Sequence, residues 1–268
     1  MNIHKTAIID KDAQIGDNVE IGPYTIIEKN VKIANNVKIA PLVHICSNTE
    51  IGEGTKIYTG AVLGEDPQDI GFKGGETFLN IGKNNVIREH VTIHRGTEKG
   101  TSTIIGNNCF LMASSHVAHN VVVNDNAIIA NGALLAGHVH IGKGAFISGN
   151  VVIHQFCHIG ELVMIGGFTG VNKDIPPFLL VRGACAVAGL NIVGLRRSGM
   201  DSMARKKIKE AYRILYGSDL NTTQALEKIK KIEMCEELRS FIDFINTSKR
   251  GIAKTKYSGT DSILDKEL

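Results

Sequence analysis

The chain has 268 residues, 43% hydrophobic and 21% charged, with a net charge of +3, an ordinary balance with ample material for one large domain or two modest ones. Five scattered cysteines with no CxxC spacing favour reduced thiols over a disulfide framework or a metal site, and no metal or other cofactor is expected. With no apolar leader after Met1 and no run approaching a membrane span, a cytoplasmic protein without an integral membrane segment is expected.

Stepping by six from Ile3 to Val171 gives 29 positions, of which 26 hold Ile, Leu or Val; Asp69, Gly75 and Lys99 break the series. Four residues after each aliphatic a smaller residue usually follows, as in Ala7, Val19, Thr25, Cys109, Ala127 and Ala145. A period of six belongs neither to an amphipathic α-helix nor to simple strand alternation. It predicts a parallel β-helix of hexapeptide repeats, three short strands per coil, with both marked positions pointing inward. The few rings and many glycines, 5% aromatic and 29 Gly, suit a narrow interior of repeated cross-section.

Two interruptions, Glu65–Phe78 and Gly96–Thr103, are rich in Gly and charge, yet the aliphatic phase survives both. Pro176-Pro177 marks the end of the β-helix. Residues 1–180 are therefore read as the β-helix domain, 181–200 as a connector, irregular from Gly183 to Gly194, and 201–268 as a small C-terminal α-helical domain. In that last part Met203, Ile208, Ala211, Tyr212 and Leu215 share one helix face. A second helix opens at Asn221-Thr222-Thr223 and a third covers roughly Glu236 to Ile245. The polar tail from Lys249 is expected to fray.

None of the ten histidines falls in an inward slot, so a satisfied core histidine is not expected. With 18 residues per coil, His119, Gly137 and Gln155 stack in one column, Asn120, His138 and Phe156 in the next, and Ala118, Ala136 and His154 in the third. Removing a six-residue loop adds His94 to that third column. His94, His116, His119, His138 and His154 thus gather along one edge, with Gly137 among them, which makes that edge the candidate site. His140 and His158 stack elsewhere and are read as structural. Such an edge has two chemical uses. Three converging histidines can hold a metal, as in hexapeptide-repeat carbonic anhydrases. Alternatively, one His can act as general base for acyl transfer beside a backbone N–H that holds the oxyanion.

The motifs Ile93-His94-Arg95-Gly96-Thr97, His116-Val117-Ala118-His119, Leu135-Ala136-Gly137-His138-Val139 and Val152-Ile153-His154-Gln155-Phe156-Cys157 resemble, in this order, the UDP-N-acetylglucosamine O-acyltransferases that begin lipid A synthesis. Gln68-Asp69, Asp174-Ile175-Pro176-Pro177, Asn191 and Gly194-Leu195-Arg196-Arg197 extend the resemblance along the whole chain. It implies a left-handed β-helix and transfer of a 3-hydroxyacyl chain from acyl carrier protein to the 3-position of UDP-N-acetylglucosamine. It implies His119 as general base and the Gly137 N–H as oxyanion donor. His116, His138, His154 and Gln155 would position the sugar, phosphates or thioester arm. Asp69, beside Gln68, would meet the sugar, and Asn191 and Arg197 the nucleotide. Gly167 resembles the position that limits acyl-chain length, and a glycine there implies a long, 3-hydroxymyristoyl-like donor. A homotrimer with sites between subunits is implied as well.

The chain departs from the family where Asn120 stands in place of the usual Asp, Gly71 in place of Lys, Val193 in place of Glu, and Ala184-Cys185 in place of Asn-His. N-acylation of a 3-amino UDP-sugar is accordingly the alternative. From Arg196 to Arg213 seven basic residues face Asp201 and Glu210, a surface for an acidic carrier protein and not for nucleic acid.

Overall fold

The computed structural model describes residues 2–255. Residues 2–182 wind into a left-handed parallel β-helix whose strands, mostly two residues long, stack into three sheets of 10, 9 and 8 parallel strands. Strands this short carry no stability alone; each is held because its inward aliphatic rests on the equivalent residue of the next coil. Val117 pairs with Leu135 and Leu135 with Ile153, 18 residues apart. Leu63 pairs with Ile93 across the first interruption, and Ile93 with Val117 across the second. Both insertions therefore leave the prism without shifting its register, and the inward column from Ile21 to Ile165 stays closed to solvent. Ile3, on the open end of the first coil, remains exposed.

The third residue after each aliphatic turns the corner in the left-handed backbone region. Asn occupies many of these positions, including Asn18, Asn36, Asn84, Asn108, Asn120 and Asn126; His138, Phe156 and Phe168 occupy others, at φ +59°, +64° and +57°. Asn tolerates this conformation better than most L-residues. Several inward slots hold Thr or Ser, and one holds an amide: buried Asn85 donates to the Gly82 and Gly106 carbonyls at 2.9 and 2.8 Å and accepts the Cys109 N–H at 2.7 Å. With each amide group paired, the buried side chain costs little.

The end of the β-helix differs from the expected one. Leu179–Arg182, beyond Pro176-Pro177, still adds a parallel strand to the first sheet. Ala186–Leu190 then folds back antiparallel on it, so the segment from Gly183 is mostly a hairpin and not irregular chain. Helix α1 (Ile192–Arg197) follows, then α2 (Ser202–Tyr216), α3 (Thr222–Ile229) and α4 (Glu236–Thr247). Asp201 caps α2 by accepting the Met203 and Ala204 N–H groups, and Asn221 with Gln224 forms a capping box on α3. Ile208, Ala211, Tyr212 and Leu215 share the buried face of α2 as expected, but Met203 is 54% exposed, because its neighbour Ala204, four before Ile208, takes the buried position in that turn. Residues 249–255 do not fray: Ile252 and Thr255 bridge to Asp174 and Val187 of the β-helix end. The remainder of the expected tail lies outside the described residues. Among the described residues no helix is long and apolar enough to cross a membrane.

Candidate active site on the histidine edge

The edge lies at the corner between the second and third sheets, where the strand His116–Val117 ends and the chain turns through Ala118, His119 and Asn120. The stacking predicted from the 18-residue coil holds. Gly137 lies directly against the His119 ring: a β-carbon on it would come within 2.5 Å of Cε1 and 2.6 Å of Nε2. Only a glycine lets the backbone of one coil approach the imidazole of the last so closely. Among the described residues no acceptor takes the Gly137 N–H. His138 packs edge-on to His119, ring centroids 5.2 Å apart, and lies flat on Phe156 at 4.7 Å.

His119 is oriented from both sides. Its Nδ1 lies 3.0 Å from Asn120 Oδ1. That same oxygen faces the Thr97 backbone N–H at 3.1 Å and the Thr97 hydroxyl at 2.8 Å. A backbone N–H can only donate, so Oδ1 is the acceptor there, and Nδ1 must present its proton to it. The Nε2 lone pair of neutral His119 is thereby left facing outward. Asp69 reaches over from the first loop, its Oδ2 3.9 Å from Nε2 and its Oδ1 held by the Gly71 N–H at 2.8 Å. The gap is too wide for a direct hydrogen bond, and a hydroxyl placed beside the pair can reach both atoms.

The remaining histidines form the floor. His116 Nδ1 meets Thr92 Oγ1 at 2.7 Å, and its ring sits edge-on to His94, 5.0 Å between centroids. Burial, then neighbouring His94 and His119, pushes His116 down to about 4, so it stays neutral at physiological pH. Burial also lowers His94, against the attraction of Glu65; burial, then the charge of neighbouring His119, lowers His138. His94 Nδ1 is a buried polar atom with no partner. The outward phase was correct for these residues, but burial was misjudged: His94 and His119 are only 5% and 6% exposed. The two loops, residues 66–77 and 95–101, cover their outer side, which the six-residue phase has no means of showing.

His154 and Gln155 sit on the next coil, exposed, with His154 Nδ1 on the Gln155 carbonyl at 3.2 Å. Gln68 is exposed on the first loop, and Gly167 is exposed at the corner below Phe168, where an added β-carbon would meet the Gly149 carbonyl at 3.3 Å. Asn191 and Arg197 are apart from the cluster, on α1. The Asn191 side chain caps that helix by accepting the Gly194 N–H at 3.0 Å, and donates to the Leu162 carbonyl at 2.8 Å; Arg197 is exposed. Thr97 and Thr92, which hold Asn120 and His116, were not singled out from sequence. Thr92 had a signal, since the 24-residue offset that aligns His94 with Ala118 also sets it against His116; Thr97 stood in the motif Ile93-His94-Arg95-Gly96-Thr97 but was given no role there. His140 and His158 stack on the third sheet at 4.5 Å, in a cleft shared with Asp243 and Phe244 of α4.

Comparison with known proteins agrees with this geometry. Residues 30–65 and 102–137 match the bacterial transferase hexapeptide model, and residues 174–253 match the second domain of UDP-N-acetylglucosamine O-acyltransferase. An acyl-[acyl-carrier-protein]–UDP-N-acetylglucosamine O-acyltransferase of Aquifex aeolicus is 57% identical over 95% of this chain and 98% of its own length. The chain belongs to the UDP-N-acetylglucosamine O-acyltransferase family. It is an acyltransferase. A Sulfurihydrogenibium member is 54% identical over 94% of both chains. The crystal structure of the Bacteroides fragilis member superposes with a TM-score of 0.91 at 45% identity, covering 94% of this chain and all of that one. The histidine edge is thus carried on the prism of an established acyltransferase family.

Proposed function

We propose that this chain transfers a 3-hydroxyacyl group from acyl carrier protein to the 3-hydroxyl of UDP-N-acetylglucosamine, with His119 as general base and the Gly137 N–H as oxyanion donor. The observation that carries this reading is the fixed tautomer of His119, whose Nδ1 faces Asn120 Oδ1 while Nε2 points outward beside Gly137 and Asp69. A sugar hydroxyl placed beside Nε2 and Asp69 loses its proton to Nε2 as its oxygen attacks the thioester carbonyl. The negative charge that develops on the carbonyl oxygen needs a donor already in place, and the unpaired Gly137 N–H supplies one. Collapse of the tetrahedral intermediate expels the carrier thiolate, which takes the proton back from the imidazolium. No protein nucleophile is required, because the acceptor supplies it.

His116, His138, His154 and Gln155 then position sugar, phosphates or the thioester arm, while Gln68 and Asp69 close over the sugar. Asn191 and Arg197 contact the nucleotide, and Gly167 leaves room for a long acyl chain. In a homotrimer a neighbouring subunit completes the exposed side of the edge. The enzyme works in the cytoplasm, where acyl carrier protein is available.

Asn120 favours one second reading. A neutral amide in place of a carboxylate stabilises an imidazolium less, and an amine acceptor needs less help from a base than a hydroxyl does. A parallel assay of UDP-N-acetylglucosamine and its 3-amino analogue, with 3-hydroxyacyl carrier proteins of several lengths, decides between them. The O-acyl reading predicts higher kcat/KM for the hydroxyl acceptor; a clear preference for the amine overturns it.

A further inference from the structure

Below the His119 pocket, a second group of ligand atoms meets three to four coils nearer the N-terminus. Glu28, His44 and Cys46 each direct one ligand atom to a common point, all within 4.8 Å of one another. His44 Nε2 lies 3.0 Å from Glu28 Oε1 and 3.9 Å from Cys46 Sγ, and Sγ lies 3.8 Å from Glu65 Oε2. The repeat itself builds this cluster. Glu28 and Cys46 follow the inward Ile27 and Ile45 at equivalent places on successive coils, and His44 precedes Ile45 on the same strand. Glu28 is anchored through its other oxygen, Oε2, by the Ser47 N–H at 2.9 Å and the Ser47 hydroxyl at 2.7 Å, which leaves Oε1 free to face the cluster.

We propose that Glu28, His44 and Cys46 form a three-residue site for a divalent zinc ion, its fourth tetrahedral position left to water and Glu65 lying beside Cys46, separate from the acyl-transfer chemistry. Zinc combines a thiolate, an imidazole and carboxylates, and its bonds of about 2.0–2.3 Å place tetrahedral ligands roughly 3.3–3.7 Å apart. His44 Nε2 already lies within a few tenths of an ångström of that spacing from both Glu28 Oε1 and Cys46 Sγ. Ser47 plays the outer role common around zinc carboxylates, fixing the ligand's orientation through its second oxygen. The charge balance also fits. A thiol between two carboxylates, with one imidazole beside them, is an electrostatically poor arrangement that a dication relieves. On binding, Cys46 gives up its proton to solvent and Sγ takes the metal in its place. Glu65, beside Cys46, ends the strand Val62–Glu65 where the first loop begins, so the site sits at the base of the loop carrying Asp69.

The spacing of 18 between Glu28 and Cys46 hides such a site from any motif based on short intervals. The test uses the full-length protein, stripped with a chelator and titrated with Co2+ followed by Zn2+. The expected result is one Co2+ per chain with a thiolate-to-cobalt charge-transfer band and the intense visible bands of tetrahedral cobalt, all displaced by Zn2+. Cys46→Ser should abolish the charge-transfer band, and Glu28→Gln should keep the band while weakening binding about tenfold or more. Cys235→Ser, which removes a less buried thiol elsewhere, should change neither. Cobalt bound without a thiolate band, as the histidine edge would hold it, overturns the proposal. So does a band that survives Cys46→Ser, or no binding at all.

Discussion

At φ +58°, Asn120 turns the chain between two sheets while its side-chain oxygen holds His119 Nδ1. The two roles separate by substitution, because glycine keeps the turn without strain and aspartate keeps both the turn and the acceptor. Asn120→Gly should lower kcat about tenfold, the worth of roughly one hydrogen bond in the transition state, with KM little changed. Asn120→Asp should raise kcat and move the acid limb of the pH–rate profile upward, since a carboxylate stabilises the imidazolium. Steady-state kinetics across pH check both, and an unchanged kcat in the glycine variant would show that Asn120 does not orient the base. His116 makes a prediction about stability. Its folded pKa of about 4 lies below the 6.5 of the free side chain, so acid favours the unfolded chain, which takes up the proton first. Stability from this group is fully present above 6.5 and is lost as pH falls from there towards 4. His116→Gln should flatten that loss in denaturant titrations at several pH values; an identical slope would mean that His116 protonates freely in the folded protein. Which side of the prism these residues face was legible in the six-residue phase. How deeply His94 and His119 are buried was not, because the cover comes from loops that carry no periodicity.

Among the elements, the coils were readable because a strand of two residues has only one apolar position to place, and the repeat names it each time. The hairpin of Leu179–Arg182 with Ala186–Leu190 was missed because its second strand lies outside that phase and Pro176-Pro177 masks the continuation of the first sheet. Helix α1 was missed for a related reason. At six residues it is too short to show a 3.6-residue period, and its cap, Asn191, was assigned to nucleotide binding by resemblance. The Asn191 amide bonds Gly194 and Leu162 through its two ends, which makes it the joint between α1 and the last coil. Asn191→Ala should therefore cost about 1–2 kcal/mol in equilibrium unfolding, the usual loss of a capping side chain. If Asn191 also contacts the nucleotide, KM for the UDP-sugar rises beyond the effect of stability; if KM is unchanged, the residue is a cap alone.

Taken whole, the molecule is a prism that displays its chemistry along one edge, closed at the end of its last coil by helices and by residues 249–255. Ser240 on α4 donates to Glu161 at 2.6 Å and Ser248 to Asp174 at 2.6 Å, so the helical part is tied to the last coils. Helix α2 carries most of the basic run, and apart from Lys207, paired with Glu233 at 3.0 Å, that charge is what the proposed acidic carrier protein would use. The account rests on His119. The most direct measurement compares wild type with His119→Ala, using UDP-N-acetylglucosamine and a 3-hydroxyacyl carrier protein at saturating concentrations. Loss of a general base predicts a fall in kcat of roughly 10²–10⁴-fold with the fold intact. Near-normal turnover in the alanine variant would contradict the account.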